Sequence, residues 1–204
     1  LKLIRDKLLF REASSIISKA KENYLTFLKT GQMNDDLIKS ALLLAQLDPI
    51  FRAGIVNENI GTTDDRDVED LRNLISLVDP EKFKAKDVCL LNPVFKASEL
   101  VGGADIDLVI DDMMIDVKTT KNLELRREHF NQLIGYYALY RIGGIGAMPR
   151  NHEIKRVGIY FSRYGYLHLI KIQDVIDENS FPRFLEWFVE RATSEVHPKK
   201  WTIS

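Results

Sequence analysis

The run from Gly102 to Thr120, GGADIDLVIDDMMIDVKTT, constrains the fold more than any other part of the chain. Ile106 to Ile110 and Met113 to Val117 are rich in β-branched and apolar residues, and Asp111-Asp112 between them fits a two-residue reversal. A hairpin closed by that turn pairs Ile110 with Met113. Counting back along both strands sets Asp107 opposite Asp116 and Asp105 opposite Lys118, and the alternation of side chains sends all four to one face. Like charges directly opposite destabilise a sheet, so Asp107 against Asp116 calls for a positive charge between them. Oxygen-only ligands without a neighbouring Cys or His favour a hard divalent ion, magnesium or manganese, over zinc. The competing reading is an ordinary solvent-facing Asp/Lys ion pair. Against it, Leu108, Val109, Ile115 and Val117 give these strands at least one buried face, and buried unpaired acids are costly.

An acid on one strand followed by acid-x-Lys on the next resembles the PD-(D/E)xK nuclease superfamily. Here the matching residues are Asp107 or Asp105, then Asp116-Val117-Lys118. A glycine-rich lead-in, Gly102-Gly103, before the first acid is similar to the RecB-like and phage-exonuclease-like branch. So is the helical run that follows from Glu128, in which Gln132 and Tyr136 stand four apart on one face. The likeness is close over about residues 87 to 141 and elsewhere extends only to the order of elements. It implies a restriction-endonuclease-like α/β fold, a mixed β-sheet flanked by helices with a helical N-terminal region.

The resemblance also implies a metal-dependent nuclease that hydrolyses a phosphodiester bond, in DNA rather than RNA. Asp107 and Asp116 would ligate Mg2+ or Mn2+, with the Val117 carbonyl completing the shell and Asp105 an auxiliary or alternative first-strand ligand. Lys118 would orient the attacking water, and Gln132 and Tyr136 would position Lys118 or a nucleotide. The plainer role for Gln132 and Tyr136 is to border an amphipathic helix whose apolar side, Phe130, Leu133, Ile134 and Tyr137, packs on the sheet. Members of the superfamily often carry a further upstream acid, for which Glu69 and Glu99 compete. Two other functions stay open: a nuclease-fold module that binds nucleic acid or a partner without cutting, and a structural scaffold for a partner.

Charge does not single out a nucleic-acid protein, since the net charge is −1 and the sequence pI about 6.5. Its distribution is more telling. Lys121, Arg126 and Arg127, together with Lys118, gather around the hairpin exit, where a phosphate backbone would pass, and form the expected substrate-binding group. Lys155, Arg156 and Arg163 make a second basic group, and Lys199-Lys200 beside Trp201 a third.

Apolar spacing predicts helices over residues 1 to about 30, from Asp35 to Leu47 with Asn34 or Asp35 as cap, and through Glu69 from Asp64 or Asp65. Asp48-Pro49 through Thr63 reads as a turn-rich connection. Val88 to Phe95 reads as a strand whose Pro93 marks an edge or bulge. Gly143-Gly144 stops the Gln132 helix. Arg156 to Phe161 and Tyr166 to Ile172 are further strands around Arg163-Tyr164-Gly165, and Phe181 to Ala192 is a closing helix with Phe184, Leu185, Trp187 and Phe188 inward. At 204 residues and 23.5 kDa the expectation is one domain, with residues 1–80 mainly helical and 85–204 the α/β core.

The single cysteine, Cys89, excludes an internal disulfide and a cysteine-based metal cluster and reads as a buried strand residue. Together with the lack of a bilayer-length apolar run and of a signal-peptide pattern after Leu1, it points to a cytoplasmic protein without a membrane partner. A start without Met places residue 1 inside the natural chain. The four histidines, His129, His152, His168 and His197, show no ligand-pair spacing. No phosphate loop or nucleophile elbow is present. Oligomeric state and any protein partner are left open.

Overall fold

The computed structural model describes residues 7–56, 60–149 and 151–196. The start at Leu1, His197 and the Lys199-Lys200-Trp201 group lie outside them. The chain divides into two compact units, Leu1–Ser76 and Leu77–Ser204.

The first unit is built of α1 (Lys7–Thr30), α2 (Asp35–Ala53) and α3 (Asp65–Ser76). Asn34 caps α2 by accepting the Leu37 amide, the role its side-chain oxygen is suited for. The expected end at Leu47 is overrun, because Pro49 is absorbed within the helix. It stops at Gly54, whose left-handed backbone (φ 67°) lets its own N–H reach the Ile50 carbonyl and the next N–H, of Ile55, reach the Pro49 carbonyl. Among the described residues no helix is long and apolar enough to cross a membrane.

The second unit is a mixed α/β fold around one five-stranded sheet. Its strands are β1 (Cys89–Leu91), β2 (Leu108–Ile110), β3 (Met113–Lys118), β4 (Arg156–Phe161) and β5 (Tyr166–Lys171), in spatial order β1-β2-β3-β4-β5. The pairs are antiparallel except β3 with β4, which run parallel because α4 (Arg127–Gly143) crosses between them. A last helix, α5 (Phe181–Val196), closes the unit.

Alternation divides the sheet's side chains between two cores. Val109, Met114, Val157, Ile159 and Phe161 face α4 and α5, where Leu133, Tyr137, Ala138 and Phe181 meet them. Leu108, Ile110, Met113, Ile115 and Tyr160 face the other way, onto Val78, Phe83 and Ala85. The β2–β3 reversal is the two-residue turn expected. Asp111 takes a left-handed conformation (φ 48°), tolerable for Asp, and its carboxylate accepts the amides of Lys86, Asp87 and Val88.

Three expectations are corrected. Cys89 is exposed, because β1 is a short edge strand and Cys89 sits on its uncovered side. Trp187 is 54% exposed; Phe184 and Phe188 pack against the core, while Trp187 lies on the flank of α5 beside Phe184. Phe130 and Ile134 are only partly buried and line a groove with α5, so the sheet-facing side of α4 is Leu133, Tyr137 and Ala138 with Tyr136.

Candidate functional site

The hairpin register follows the count from sequence: Ile110 pairs with Met113, Val109 with Met114 and Leu108 with Ile115. The ladder ends there, and Asp107 reaches β3 by a different device. The Asp107 carboxylate itself accepts the Val117 amide at 2.6 Å, a bond from side chain to backbone where a strand partner would stand. Beyond it β2 leaves β3. Asp105 bridges to Val94 on the other side rather than lying against Lys118, so that part of the expected register is corrected.

Asp116 lies in the middle of the sheet with only 5% of its surface exposed. Lys118, two residues on and therefore on the same face, sets its Nζ 2.8 Å from Asp116 Oδ2. Oδ2 is buried, and the ammonium meets it in an ion pair at that distance rather than in a well-aligned hydrogen bond. Burial pushes the Asp116 carboxyl above the usual carboxylate range, and the Asp107 charge adds to it. The Lys118 ammonium and His129 pull the other way.

From α4, Gln132 and Tyr136 reach the cluster as one chain of bonds. Lys118 Nζ donates to Gln132 Oε1 at 2.9 Å, and Gln132 Nε2 donates to the Tyr136 hydroxyl at 2.7 Å. Burial raises the Tyr136 hydroxyl pKa, with further contributions from the charges of Asp116, Asp107 and Asp105, while the Gln132 hydrogen bond opposes the shift. Gln132 and Tyr136 are therefore joined to the lysine rather than confined to the helix border.

Of the expected substrate-binding group, Lys121 and Arg126 line a small cleft with Thr120, Asn122, Glu124 and His129. Arg126 pairs with Glu124 at 3.3 Å, and Arg127 is exposed at the first residue of α4. The exit loop is clamped from the β4–β5 turn. Thr119 and Ser162 share a 2.9 Å hydrogen bond, and the Tyr164 hydroxyl donates to the Lys121 carbonyl at 2.5 Å. Glu99 is exposed on a single 3-10 turn, and Glu69 is exposed on α3 of the first unit.

His129 is the residue the histidine spacing rule passed over. It stands three before Gln132 and seven before Tyr136, so all three share a helical face, and its ring lies 6.4 Å from that of Phe161. The signal was present in the helix period, not in histidine-to-histidine spacing.

Two carboxylates on neighbouring strands, Asp107 and Asp116, are the oxygen donors that suit a hard divalent ion. Among the described residues no three His, Cys, Asp or Glu side chains converge into a ready cage. Magnesium commonly needs only one or two carboxylates, keeping water and substrate phosphate as its other ligands. No protein-family model, curated protein or solved structure matches the chain.

Proposed function

We propose that the second unit is a metal-dependent nuclease of restriction-endonuclease-like fold, hydrolysing a phosphodiester bond in a nucleic acid, with DNA the first candidate and RNA the second. The observation that carries the reading is the buried Asp116 carboxylate, whose Oδ2 is met by the ammonium of Lys118, itself tethered by Gln132, with a second acid, Asp107, on the neighbouring strand. Asp107 and Asp116, with the Val117 carbonyl and Asp105 as auxiliary, would hold Mg2+ or Mn2+. Such an ion, when bound, lowers the pKa of a water and clamps a phosphate.

The protein's own groups do the rest. Gln132 Oε1 holds the Lys118 ammonium at the mouth of the cluster, where it offsets charge building on a phosphate under attack. The ammonium, a donor only, sets the amide of Gln132 with its oxygen toward Lys118, which leaves the Gln132 nitrogen to donate to the Tyr136 hydroxyl. Lys121, Arg126 and Arg127 supply the positive rim that a nucleic-acid backbone requires.

A second reading is a nuclease-like module that binds nucleic acid without cutting it. The specific observation in its favour is that Lys118 already neutralises Asp116. Incubation of the purified chain with single- and double-stranded DNA and RNA, with Mg2+ or Mn2+ and with chelator, decides between them. Cleavage that needs the metal and disappears in Asp116→Ala and Lys118→Ala, both folded, supports the nuclease. Nucleic-acid binding with no cleavage under any metal supports the module.

A further inference from the structure

The sheet register extends the cluster sideways in two rows on the face that α4 covers. Asp116 pairs with Ile159 and Ile159 with His168; Lys118 pairs with Phe161 and Phe161 with Tyr166. Each row starts at a reactive residue on β3, crosses a buried apolar residue on β4 and ends on an aromatic ring of the edge strand β5. At ~4.8 Å per strand, the two rings lie about 10 Å from the acid and the lysine.

Those rings form a surface of their own. Tyr166 and His168 have centroids 6.3 Å apart and planes tilted by 34°, side by side on one face of β5. Tyr166 is 46% exposed, unlike Ile159 and Phe161, which are buried. His129, from α4, meets the Phe161 ring edge-on at 6.4 Å, and His168 beside Tyr166 is half-buried. Tyr164, exposed in the adjoining turn, ties this end of the sheet to Lys121.

We propose that Tyr166 and His168 are a stacking platform for an unpaired base flanking the phosphate addressed by Asp107, Asp116 and Lys118. The proposal rests on the nuclease reading and deepens it by naming the form of substrate. Two features select a nucleotide as the occupant. The rows are continuous with the acid-lysine cluster, and the exposed cations Lys121 and Arg126 line the cleft that follows the β3 exit, to meet a phosphate backbone. Base pairs inside a duplex have their ring faces covered by neighbours, so only an unstacked base can lie on this surface.

The test is fluorescence anisotropy with a short labelled single-stranded oligonucleotide, its abasic counterpart and a blunt duplex, all in chelator so that nothing is cut. Tyr166→Ala with His168→Ala should weaken single-strand binding about tenfold and leave duplex binding unchanged. The abasic substitution should weaken binding to the wild type but not to the double variant. Tyr166→Phe should bind as the wild type and Tyr166→Leu should not, a comparison that serves equally if the double variant fails to fold. Equal loss for single strand and duplex, an undiminished affinity in the double variant, or full binding by Tyr166→Leu overturns the platform. Cleavage is scored separately with metal. Asp116-dependent cleavage with no platform effect removes the platform alone, and a platform effect with no cleavage removes the nuclease reading alone.

Discussion

The Val117 amide donates to the Asp107 carboxylate at 2.6 Å, so one acid of the cluster is also the last fastening between β2 and β3. Site and fold share this side chain, and its two roles separate by substitution. Asp107→Ala strands the amide and should cost about 1–2 kcal/mol in chemical denaturation, while Asp107→Asn keeps an acceptor and should lose less. Both should lose cleavage. Equal stability of the two variants would mean that the amide bond contributes nothing.

Gln132 is predicted to act through Lys118 alone. Removing its oxygen leaves the ammonium close to Asp116 but free to turn, since a bond to a charged group worth about 1.5–3 kcal/mol is gone. Gln132→Leu should therefore cut kcat roughly 10- to 100-fold with little change in KM. Tyr136→Phe, one bond further out, should have a smaller effect in the same direction. Steady-state kinetics on one substrate compares them, and a Gln132→Leu effect confined to KM would point to nucleotide contact instead.

The hairpin register, both acids, the lysine and the Gln132-Tyr136 pair were legible because each depends on a local period, two along a strand or 3.6 along a helix. What escaped depends on partners distant in sequence. Asp105 follows Val94 because the Asp107 side chain ends the β2–β3 ladder, a choice that alternation cannot express. Cys89 is apolar enough for a core but falls on the sheet edge, and edge position is set by strand order. The clamp of Ser162 and Tyr164 on the exit loop joins segments more than forty residues apart. The Tyr166-His168 surface emerges only once β5 is placed beside β4.

Two aspartates should give opposite pH dependences of stability. Burial raises the Asp116 pKa, so its ionised form costs stability; the cost is absent below the unfolded value of about 3.9 and grows as pH rises through the folded value. Asp116→Asn should accordingly gain on the wild type between acid and neutral pH. Three backbone amides hold the Asp111 pKa down, so its contribution is present above about 3.9 and is lost as pH falls through the lower folded value. Asp111→Ala should be most damaging at neutral pH and approach the wild type in acid. Urea melts of each variant against the wild type across acid to neutral pH read both slopes, and parallel curves would contradict the assignment of either group.

Glycines at two positions should respond with opposite signs. A Cβ on Gly158, in β4, would come within 2.5 Å of the His168 carbonyl oxygen and 2.7 Å of Leu169 Cδ2, so β5 must move to admit it. Gly158→Ala should cost about 1–3 kcal/mol, as overfilling a close contact does, and should disturb the strand that carries Tyr166 and His168. Gly135, within α4, has nothing within 4 Å of the same added atom. There alanine removes backbone freedom from the unfolded chain and should stabilise by about 0.5–1 kcal/mol. Denaturant midpoints at unchanged m-value measure both changes. A neutral Gly158→Ala would show that β5 yields to the extra methyl without loss, and the rows joining the acid-lysine cluster to the edge strand would then be less rigid than their register implies.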